Sequence, residues 1–180
     1  NNCDLGVSSE GSFGVHPSIF FASADDEFLI FIDKKNGLEI IARALSTETN
    51  FNGKALKSEK DLLDFAELTK FPSHALILKK SKEDTEDMVK AITSFEVLKN
   101  AFYTLLKKHQ TVFVETDMRA LYNPSRMAVI EIATKKLVAK IQSSCPECHT
   151  LGFGITDFKK GLPCDLCGLP TKSTLSSIYT

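Results

Sequence analysis

Four of the five cysteines in this 180-residue chain form two Cys-x-x-Cys pairs, and this arrangement constrains the fold more than any other feature of the sequence. The pairs are Cys145 with Cys148 and Cys164 with Cys167, separated by fifteen residues. Each pair places two sulfurs on one side of a tight turn, and two such turns supply the tetrahedral set of thiolates that zinc prefers. We therefore predict a C-terminal ribbon that binds one zinc ion, with an intervening hairpin over residues 152–160.

The predicted zinc has no open coordination position, because the protein supplies all four ligands. Such a site is structural, and it stabilises a segment too small to form a core of its own. Two disulfides or free thiols are the alternatives for the same pairs. His149 follows Cys148 directly and is interpreted as a neighbour of the site rather than a ligand. Cys3 has no partner in the sequence and is interpreted as an ordinary free thiol.

The charge balance argues against nucleic-acid and membrane partners. The chain carries a formal net charge of −1, and acidic and basic side chains cancel within residues 145–180. Four thiolates and one Zn²⁺ would make that ribbon net negative, which is the wrong sign for binding phosphate backbones. No stretch approaches the roughly 20 apolar residues that span a bilayer, and the first residues lack the features of a signal peptide. The sequence predicts a cytoplasmic protein and leaves its oligomeric state open.

The start of the chain suggests that an N-terminal portion is missing. The sequence has no initiator methionine and opens almost directly into a predicted strand at residues 5–9. Any site that needs upstream residues would then be incomplete in this chain.

Hydrophobic periodicity predicts that strands and helices alternate along the chain. Strands are predicted at 5–9, 27–33, 74–79 and 111–116, and helices at 58–70, 95–109 and 124–144. Residues 38–47 fit either a strand, paired back through a turn at 34–37, or a helix. The charged residues 80–87 are interpreted as a loop.

This alternation predicts the fold class and the domain boundaries. Ser58 and Asn123 are predicted to cap two of the helices, because their side-chain oxygens can accept from free backbone N–H groups. The pattern is typical of an α/β or α+β domain in which a mixed sheet packs with helices. We assign that domain to residues 1–143 and the zinc ribbon to residues 144–180.

The segment from Glu115 to Arg126 carries the most suggestive polar residues. Glu115, Asp117 and Arg119 alternate, so they would lie on one face if the strand continued. Arg126 would occupy the third position of the following helix, where the helix dipole disfavours a cation. An internal carboxylate such as Asp117 or Glu115, or an external anion such as phosphate, should compensate it. The alternative to a working site is an internal Asp–Arg network that locks strand to helix.

A second group of polar residues lies near the start of the chain. Glu10 is followed by two glycines, which allow either a tight turn or a close backbone approach. His16 is a candidate base or ligand. Glu48 and three aspartates add carboxylates. Several carboxylates with arginines suit a Mg²⁺ site acting on phosphates. We predict that Glu10, Glu48, Asp117, Arg119 and Arg126 converge in one pocket.

Several motifs together resemble a family of uncharacterised bacterial proteins classified as a domain of unknown function. The motifs are EGSFG followed by HP, ETNF, FPSHAL, ETDMRA, NPSRM and CPxC…GLPCxxCGxPT. The resemblance covers nearly the whole chain, implies no assigned activity, and implies a further N-terminal segment. Part of the chain also resembles the inosine/xanthosine triphosphate pyrophosphatases, and that resemblance would make Glu10 a metal-binding acid.

Two functions from different classes fit these observations. The first is a Mg²⁺-dependent hydrolase of nucleotides or other phosphates, in which Glu10, Glu115 and Asp117 hold the metal and Arg119 and Arg126 bind phosphate. The second is a binding module without catalysis, in which the ribbon and the preceding helix recognise a protein or a nucleic acid.

Overall fold

The chain folds into three helices and three separate sheets in the computed structural model, which describes residues 3–180. The elements are β1 (Leu5–Val15), β2 (Ser23–Asp33), β3 (Leu38–Ser46), β4 (Gly53–Leu56), α1 (Glu59–Leu68), β5 (Leu76–Lys79), β6 (Met88–Ile92), α2 (Phe95–His109), β7 (Val112–Thr116), α3 (Pro124–Gln142), β8 (Ile155–Lys160) and β9 (Thr174–Tyr179). A short 3₁₀ turn, Ala120–Tyr122, precedes α3. The predicted α+β class is confirmed.

The chain divides into two compact units, each built from separate stretches of sequence. The first unit contains residues 3–10, Phe28–Arg43 and Ala133–Thr180. The second unit contains Gly11–Glu27 and Ala44–Ile132. Residues 144–180, expected to form a ribbon of their own, thus belong to the first unit.

Strands β1, β2 and β3 form one sheet in that order. Residues 38–47, for which the sequence allowed a strand or a helix, contain the strand β3. The predicted turn at 34–37 separates β3 from β2. β1 is longer than predicted and runs through both glycines of the EGSFG motif. Of the two roles that the sequence left open for these glycines, a tight turn and a close approach, the structure shows the close approach, at Gly11, and not the turn.

The second unit is built around a four-stranded sheet in the order β4-β7-β5-β6, in which every neighbouring pair is antiparallel. The alternate residues Val112 and Val114 of β7 point into a buried apolar core with Leu76 and Leu78 of β5. Helices α1 and α2 complete that core with residues such as Leu62, Phe65, Leu98 and Phe102. Because side chains alternate along a strand, Phe113 and Glu115 lie on the opposite face of the sheet.

The helix termini follow from the residues predicted to cap them. Ser58 Oγ accepts from the backbone N–H of Asp61 at 3.2 Å at the start of α1. Asn123 Oδ1 accepts from the N–H of Arg126 at 3.0 Å, and Pro124 is the first residue of α3. These side chains satisfy backbone donors that have no partner within the helix. In the part of the chain that the structure describes, no helix has the length and apolar character needed to cross a membrane.

Candidate functional site

A cavity of about 690 Å³ opens in the second unit, on the face of the four-stranded sheet that turns away from α1 and α2. Phe113 and Ile77 supply its floor, and Phe13 and Phe51 supply aromatic walls. The rings of Phe13 and Phe51 lie 5.9 Å apart, centroid to centroid. Gly53 pairs with Glu115 across the sheet, and a Cβ at Gly53 would lie only 2.9 Å from the Phe113 ring. The glycine therefore leaves room for this ring beside it.

Four cationic side chains and two carboxylates line the same cavity. The cations are Lys82, Lys90, Arg119 and Arg126, and the carboxylates are Glu115 and Asp117. Each carboxylate is paired with a cation. Glu115 Oε1 lies 3.0 Å from the Nζ of Lys79, a buried lysine that does not itself line the cavity.

Asp117 is fixed by a two-pronged contact with Arg119. Arg119 donates from Nε to Oδ1 at 2.9 Å and from Nη2 to Oδ2 at 2.5 Å, and the backbone N–H of Ala91 also donates to Oδ2. Asp117 is fully buried, whereas the Arg119 side chain is half exposed and lies over the Tyr122 ring. Burial alone would raise the pKa of Asp117, but the hydrogen bonds from Arg119 outweigh it and lower the pKa below its usual value.

Asp117 does not continue strand β7 as the alternation of Glu115, Asp117 and Arg119 suggested. β7 ends at Thr116, and the N–H of Asp117 donates to the carbonyl of Ala75. The arrangement matches the internal Asp–Arg network that the sequence left open. It leaves the outer part of the Arg119 guanidinium exposed at the cavity.

Arg126 is held from two sides at the start of α3. Its Nε donates to Glu27 Oε1 at 2.6 Å and its Nη1 donates to the carbonyl of Met118 at 2.7 Å. The guanidinium also lies 5.1 Å from the centre of the Phe13 ring. The sequence required an anion to offset a cation at this helix position. The structure supplies one from Glu27 rather than from Asp117 or Glu115.

Glu27 has a buried acidic neighbour in Asp25. Both are fully buried, and both oxygens of Asp25 and Oε2 of Glu27 have no hydrogen-bond partner. Burial and the charge of Glu27 raise the pKa of Asp25 to about 7. The sequence did not single out this pair, although the acidic start of the apolar run EFLIFID was visible.

Two buried amides connect the ETNF and NPSRM motifs. Asn123 Nδ2 donates to Asn50 Oδ1 at 2.8 Å, and Asn50 Nδ2 donates to the carbonyl of Thr69 at 2.9 Å. The side-chain oxygen of Asn123 caps α3 at the same time. These hydrogen bonds fix the start of α3, and therefore Arg126, relative to the end of α1.

His74 and Ser125 form a contact that resembles a nucleophile–base pair but has a structural role. Ser125 Oγ lies 2.8 Å from His74 Nε2, and the backbone N–H of Ser125 donates to the same nitrogen at 3.2 Å. His74 is buried, which lowers its pKa and keeps it a neutral acceptor. The neighbouring N–H groups of α3 are already bonded to Asn123. None of these N–H groups is left to stabilise an oxyanion. His74 accepts from the backbone N–H of Ser125 and so caps the start of α3.

Three of the five residues predicted to converge line the cavity: Asp117, Arg119 and Arg126. Glu48 is exposed and does not line it. Glu10 lies in the first unit, in the middle of β1, where it lines a smaller cavity with Phe28 and Ile41. The predicted convergence is therefore wrong for Glu10 and Glu48. The reason is that the strand does not end at Glu10.

The two Cys-x-x-Cys pairs of the first unit form turns of the same design, which we call the first and second knuckles (residues 144–151 and 163–170). In the first, the N–H of Cys145 donates to the carbonyl of Thr150, and the N–H of His149 donates to the carbonyl of Cys145. In the second, the N–H of Cys164 donates to the carbonyl of Leu169, and the N–H of Gly168 donates to the carbonyl of Cys164.

The equivalence extends to the backbone angles and to the flanking bridges. His149 has φ of 60° and Gly168 has φ of 71°, so both occupy the left-handed region. An isolated antiparallel bridge closes each knuckle, Ser144 with Leu151 and Pro163 with Pro170. His149 thus provides the turn conformation that glycine provides in the second knuckle.

The segment between the knuckles differs from the predicted hairpin over residues 152–160. Residues 155–160 form the single strand β8, which pairs antiparallel with β9. The second knuckle closes the end of this β8–β9 hairpin. Across residues 3–180, no three His, Cys, Asp or Glu side chains are grouped closely enough to hold a metal ion.

One cysteine in each knuckle has a pKa below its ordinary value, which favours its thiolate form. Backbone N–H groups of Leu166 and Cys167 lower the pKa of Cys164. Hydrogen bonds from Thr150 lower the pKa of Cys148. Cys3 is exposed and lies outside the knuckles.

Comparison with known proteins gives a match at the level of a family. The family model described as "Domain of unknown function (DUF6671)" matches residues 1–180. No curated protein and no solved structure matches the chain. The resemblance to the pyrophosphatases stays a prediction.

Proposed function

We propose that this chain, which belongs to the DUF6671 family of domains of unknown function, binds a phosphorylated, ring-containing small molecule in the cavity of its second unit. The observation that carries the proposal is the excess of cations in a cavity walled by phenyl rings. Four cations face two carboxylates, and both carboxylates are already paired with Lys79 or Arg119.

The uncompensated charge lies on two lysines. Within residues 3–180, neither Lys82 nor Lys90 makes an ion pair, and both are exposed at the cavity. The exposed edge of Arg119 adds donors in a planar fork, which suits phosphate oxygens. An anion is therefore the ligand charge that this cavity complements.

The apolar part of the cavity fits a planar ring. Phe13, Phe51 and Phe113 present ring faces and edges, and aromatic pairs are worth about 0.5–1.5 kcal/mol beyond the area they bury. A ligand that carries both a phosphate and an aromatic ring would use both features, and nucleotides are the most common class of that kind. This supports the nucleotide side of the hydrolase hypothesis without supporting its metal site.

Magnesium binding by Glu10, Glu115 and Asp117 gains no support from the contacts of these side chains. Glu115 and Asp117 are engaged by Lys79 and Arg119, and Glu10 lines another cavity. Mg²⁺ usually keeps several waters and binds through substrate phosphates. The binding proposal accommodates a metal that arrives with the ligand, and it assigns no catalytic step.

The test is a thermal-shift and calorimetry screen of the zinc-loaded chain with nucleoside mono-, di- and triphosphates and inorganic phosphate, each with and without Mg²⁺. A ligand at 100 times its Kd stabilises the folded state by about 2.7 kcal/mol. The double variant Lys82→Ala/Lys90→Ala should weaken the Kd of any ligand at least tenfold. The matched control, Lys57→Ala/Lys60→Ala, removes two exposed lysines that do not line the cavity.

An unchanged Kd in the cavity variant, or an equal loss in the control, would refute the cavity as the binding site. If no phosphate compound stabilises the chain, the result would favour the second hypothesis, a module that recognises a protein or a nucleic acid. The observation on the side of that alternative is the second knuckle, where Leu166 is 95% exposed and Leu169 is 67% exposed.

We propose in addition that the two knuckles bind zinc in a structural role. The supporting observations are the shared turn geometry, the backbone N–H groups near Cys164, and a donor set of four thiolates, which is the set that structural zinc prefers. Cys145, Cys148, Cys164 and Cys167 would hold the metal. Among residues 3–180 these sulfurs are not grouped closely enough to do so as they lie, so the proposal requires that zinc binding draws the two knuckles together. When bound, the zinc ion would cross-link the two knuckles and would have no catalytic role.

Metal analysis of the purified chain tests this proposal. We expect one zinc per chain, and we expect Cys145→Ser or Cys164→Ser to lose most of it. Cys3→Ser is the matched control, because it removes an exposed thiol outside both knuckles. Full zinc retention by either knuckle variant, or a metal-free wild-type chain with no zinc uptake, would refute it.

A further inference from the structure

We propose that Asp25 and Glu27 share a single proton, and that this singly charged pair holds Arg126 in place at the wall of the cavity. The three residues belong to the second unit. Strand β2 carries both acids two residues apart, which places them on the same face. Arg126 approaches Glu27 from the first turn of α3, with Nε 2.6 Å from Oε1.

The first argument is the missing hydrogen bonds. Three of the four carboxylate oxygens, both of Asp25 and Oε2 of Glu27, are buried without a partner. A buried acceptor without a partner destabilises the folded state, and the cost is greater when the acceptor is charged. One proton held between the two carboxyls turns one of them into a donor and gives the other the hydrogen bond it lacks.

The second argument is charge. Two ionised acids beside one arginine would leave a net charge of −1 in a buried place, whereas one proton makes the group of three neutral. Buried like charges are avoided in this way when two carboxyls share a site. The charged groups that act on Asp25 are Glu27 and Asp26 on β2 and Arg126 on α3. Burial and the two acids favour protonation, and the arginine opposes it, with a resulting pKa of about 7.

The third argument is space. Each of the three unpartnered oxygens is buried out of reach of solvent. On the other side, a Cβ at Gly11 would lie 2.3 Å from Glu27 Oε1 and 2.6 Å from Arg126 Nη2. A hydrated cation needs room that this packing lacks, whereas a proton needs none. The packing therefore favours proton sharing over cation binding for this pair.

The pair makes Asp25 and Glu27 positioning residues for Arg126. The arginine side chain is bound by Glu27, by the Met118 carbonyl and against the Phe13 ring. Its charge is matched locally, so the uncompensated charge of the cavity rests on Lys82, Lys90 and the outer edge of Arg119. The shared proton stands independently of the proposed ligand, and only its effect on binding rests on the proposed function.

Carbon-13 NMR of the aspartate and glutamate carboxyl groups tests the proton directly in the whole chain. We expect a carboxyl resonance of the wild-type protein to titrate near pH 7, well above the ordinary range of an aspartate. The resonance should be absent in Asp25→Asn and present in the control Asp26→Asn. If every carboxyl of the wild-type chain titrates below about pH 5, the proposal is overturned, and this reading does not depend on how any variant folds.

The positioning role has its own readout. In wild type, ionisation of Asp25 above pH 7 adds a negative charge beside the cavity, so the affinity for a phosphate ligand should fall between pH 6 and pH 8. Asp25→Asn keeps a neutral donor beside Glu27, so its affinity should stay within about twofold of wild type at pH 6 and should not fall between pH 6 and pH 8. Glu27→Gln removes the charge that holds Arg126, so affinity should fall at both pH values. Equal or higher affinity in Glu27→Gln than in wild type would overturn the positioning role, because a freed Arg126 would then bind the anion at least as well. The NMR titration would still decide whether the proton is shared.

Discussion

Arg126 donates from Nε to Glu27 Oε1 at 2.6 Å, across 99 positions of sequence. This ion pair joins the first turn of α3 to strand β2, and both side chains are largely or fully buried. A cation near the N-terminus of a helix is opposed by the helix dipole. The pair therefore does two things: it offsets that opposition, and it fixes one cationic wall of the cavity.

Gly11 allows this pair to form, and a side chain there should break it. The Cβ of Gly11→Ala would lie 2.3 Å from Glu27 Oε1 and 2.6 Å from Arg126 Nη2, too close for either atom to remain in place. Overpacking of this kind costs about 1–3 kcal/mol. We expect Gly11→Ala to lower the free energy of unfolding by that amount, measured by urea denaturation.

Gly14→Ala is the matched control for Gly11. It lies on the same strand, and a Cβ there meets nothing within 4 Å. Since alanine is better than glycine in a strand, Gly14→Ala should leave stability unchanged or raise it by up to about 1 kcal/mol. Similar stabilities for the two variants would mean that Gly11 is not needed for the close approach.

The helices were predictable from local signals. Helix α2 begins and ends at the predicted residues 95 and 109, and Ser58 and Asn123 cap α1 and α3 as their side chains suggested. Caps and hydrophobic periodicity are properties of neighbouring residues, so they are legible without tertiary information.

The two short strands β4 and β6 could not be predicted, because their stability comes from pairing. β4 has the sequence GKAL, which lacks β-branched and aromatic residues, and it is held by its ladder with β7. β6 has the sequence MVKAI, with Ala91 at a φ of 58°. Strand propensity depends on such neighbours more than helix propensity does.

Only part of the cavity could be predicted, because its contacts also join segments that are distant in sequence. The helix-dipole argument correctly required an anion beside Arg126, but the choice of Glu27 depends on a contact between distant segments. The sequence left a turn and a close approach open at the glycines after Glu10, because a glycine needed for either looks alike in sequence. The structure shows the close approach at Gly11. The acidic residues just before the apolar run of β2 are the signal that could have pointed to Asp25 and Glu27.

Asp117 should be a stabilising residue whose contribution depends on pH. Asp117→Asn removes a buried carboxylate that binds Arg119 and Ala91. Because Arg119 is half exposed, we expect a loss near the lower end for a charged hydrogen bond, about 1–2 kcal/mol at pH 7. The measurement is urea denaturation of both proteins, with Glu83→Gln in the exposed charged loop as control.

The sign of the pH effect follows from the lowered pKa of Asp117. The stabilisation is fully present above the unfolded-state pKa of about 3.9 and is lost as pH falls through the lower folded-state pKa. The difference between wild type and Asp117→Asn should therefore shrink below about pH 4. A difference that stays constant down to pH 2 would contradict an ionised Asp117 as its source.

The equivalent positions His149 and Gly168 should respond to substitution in opposite directions. Gly168 has φ of +71°, and a Cβ added there would meet no atom within 4 Å, so Gly168→Ala should cost about 1–2 kcal/mol from backbone strain alone. His149→Gly relieves the same strain at φ of 60°, and part of that gain is offset by the greater freedom of the unfolded chain. Thermal unfolding of the zinc-loaded protein measures both.

Gly6→Ala is the control for Gly168→Ala, because it replaces a glycine whose backbone angle alanine can adopt without strain. Gly6 also has nothing within 4 Å of an added Cβ, but its φ lies outside the left-handed region. It should therefore tolerate alanine. If Gly168→Ala and Gly6→Ala have the same effect, the left-handed turn of the second knuckle is not under the constraint that its φ implies.

The pH dependence contributed by Asp25 should run opposite to that of Asp117. Its folded-state pKa, about 7, lies above the unfolded value of about 3.9, so the folded chain binds more protons than the unfolded chain between these values. The contribution of Asp25 to stability is therefore greatest below pH 4, falls as pH rises to 7, and is constant above that.

Asp25→Asn should remove this decline, so the free energy of unfolding of the variant should exceed that of wild type at pH 8 and not at pH 5. Urea denaturation from pH 4 to pH 9 tests it, with Asp26→Asn on the same strand as control. If Asp25→Asn and wild type show parallel curves over this range, Asp25 is ionised in the folded protein, and the unpartnered oxygens of this pair require another explanation.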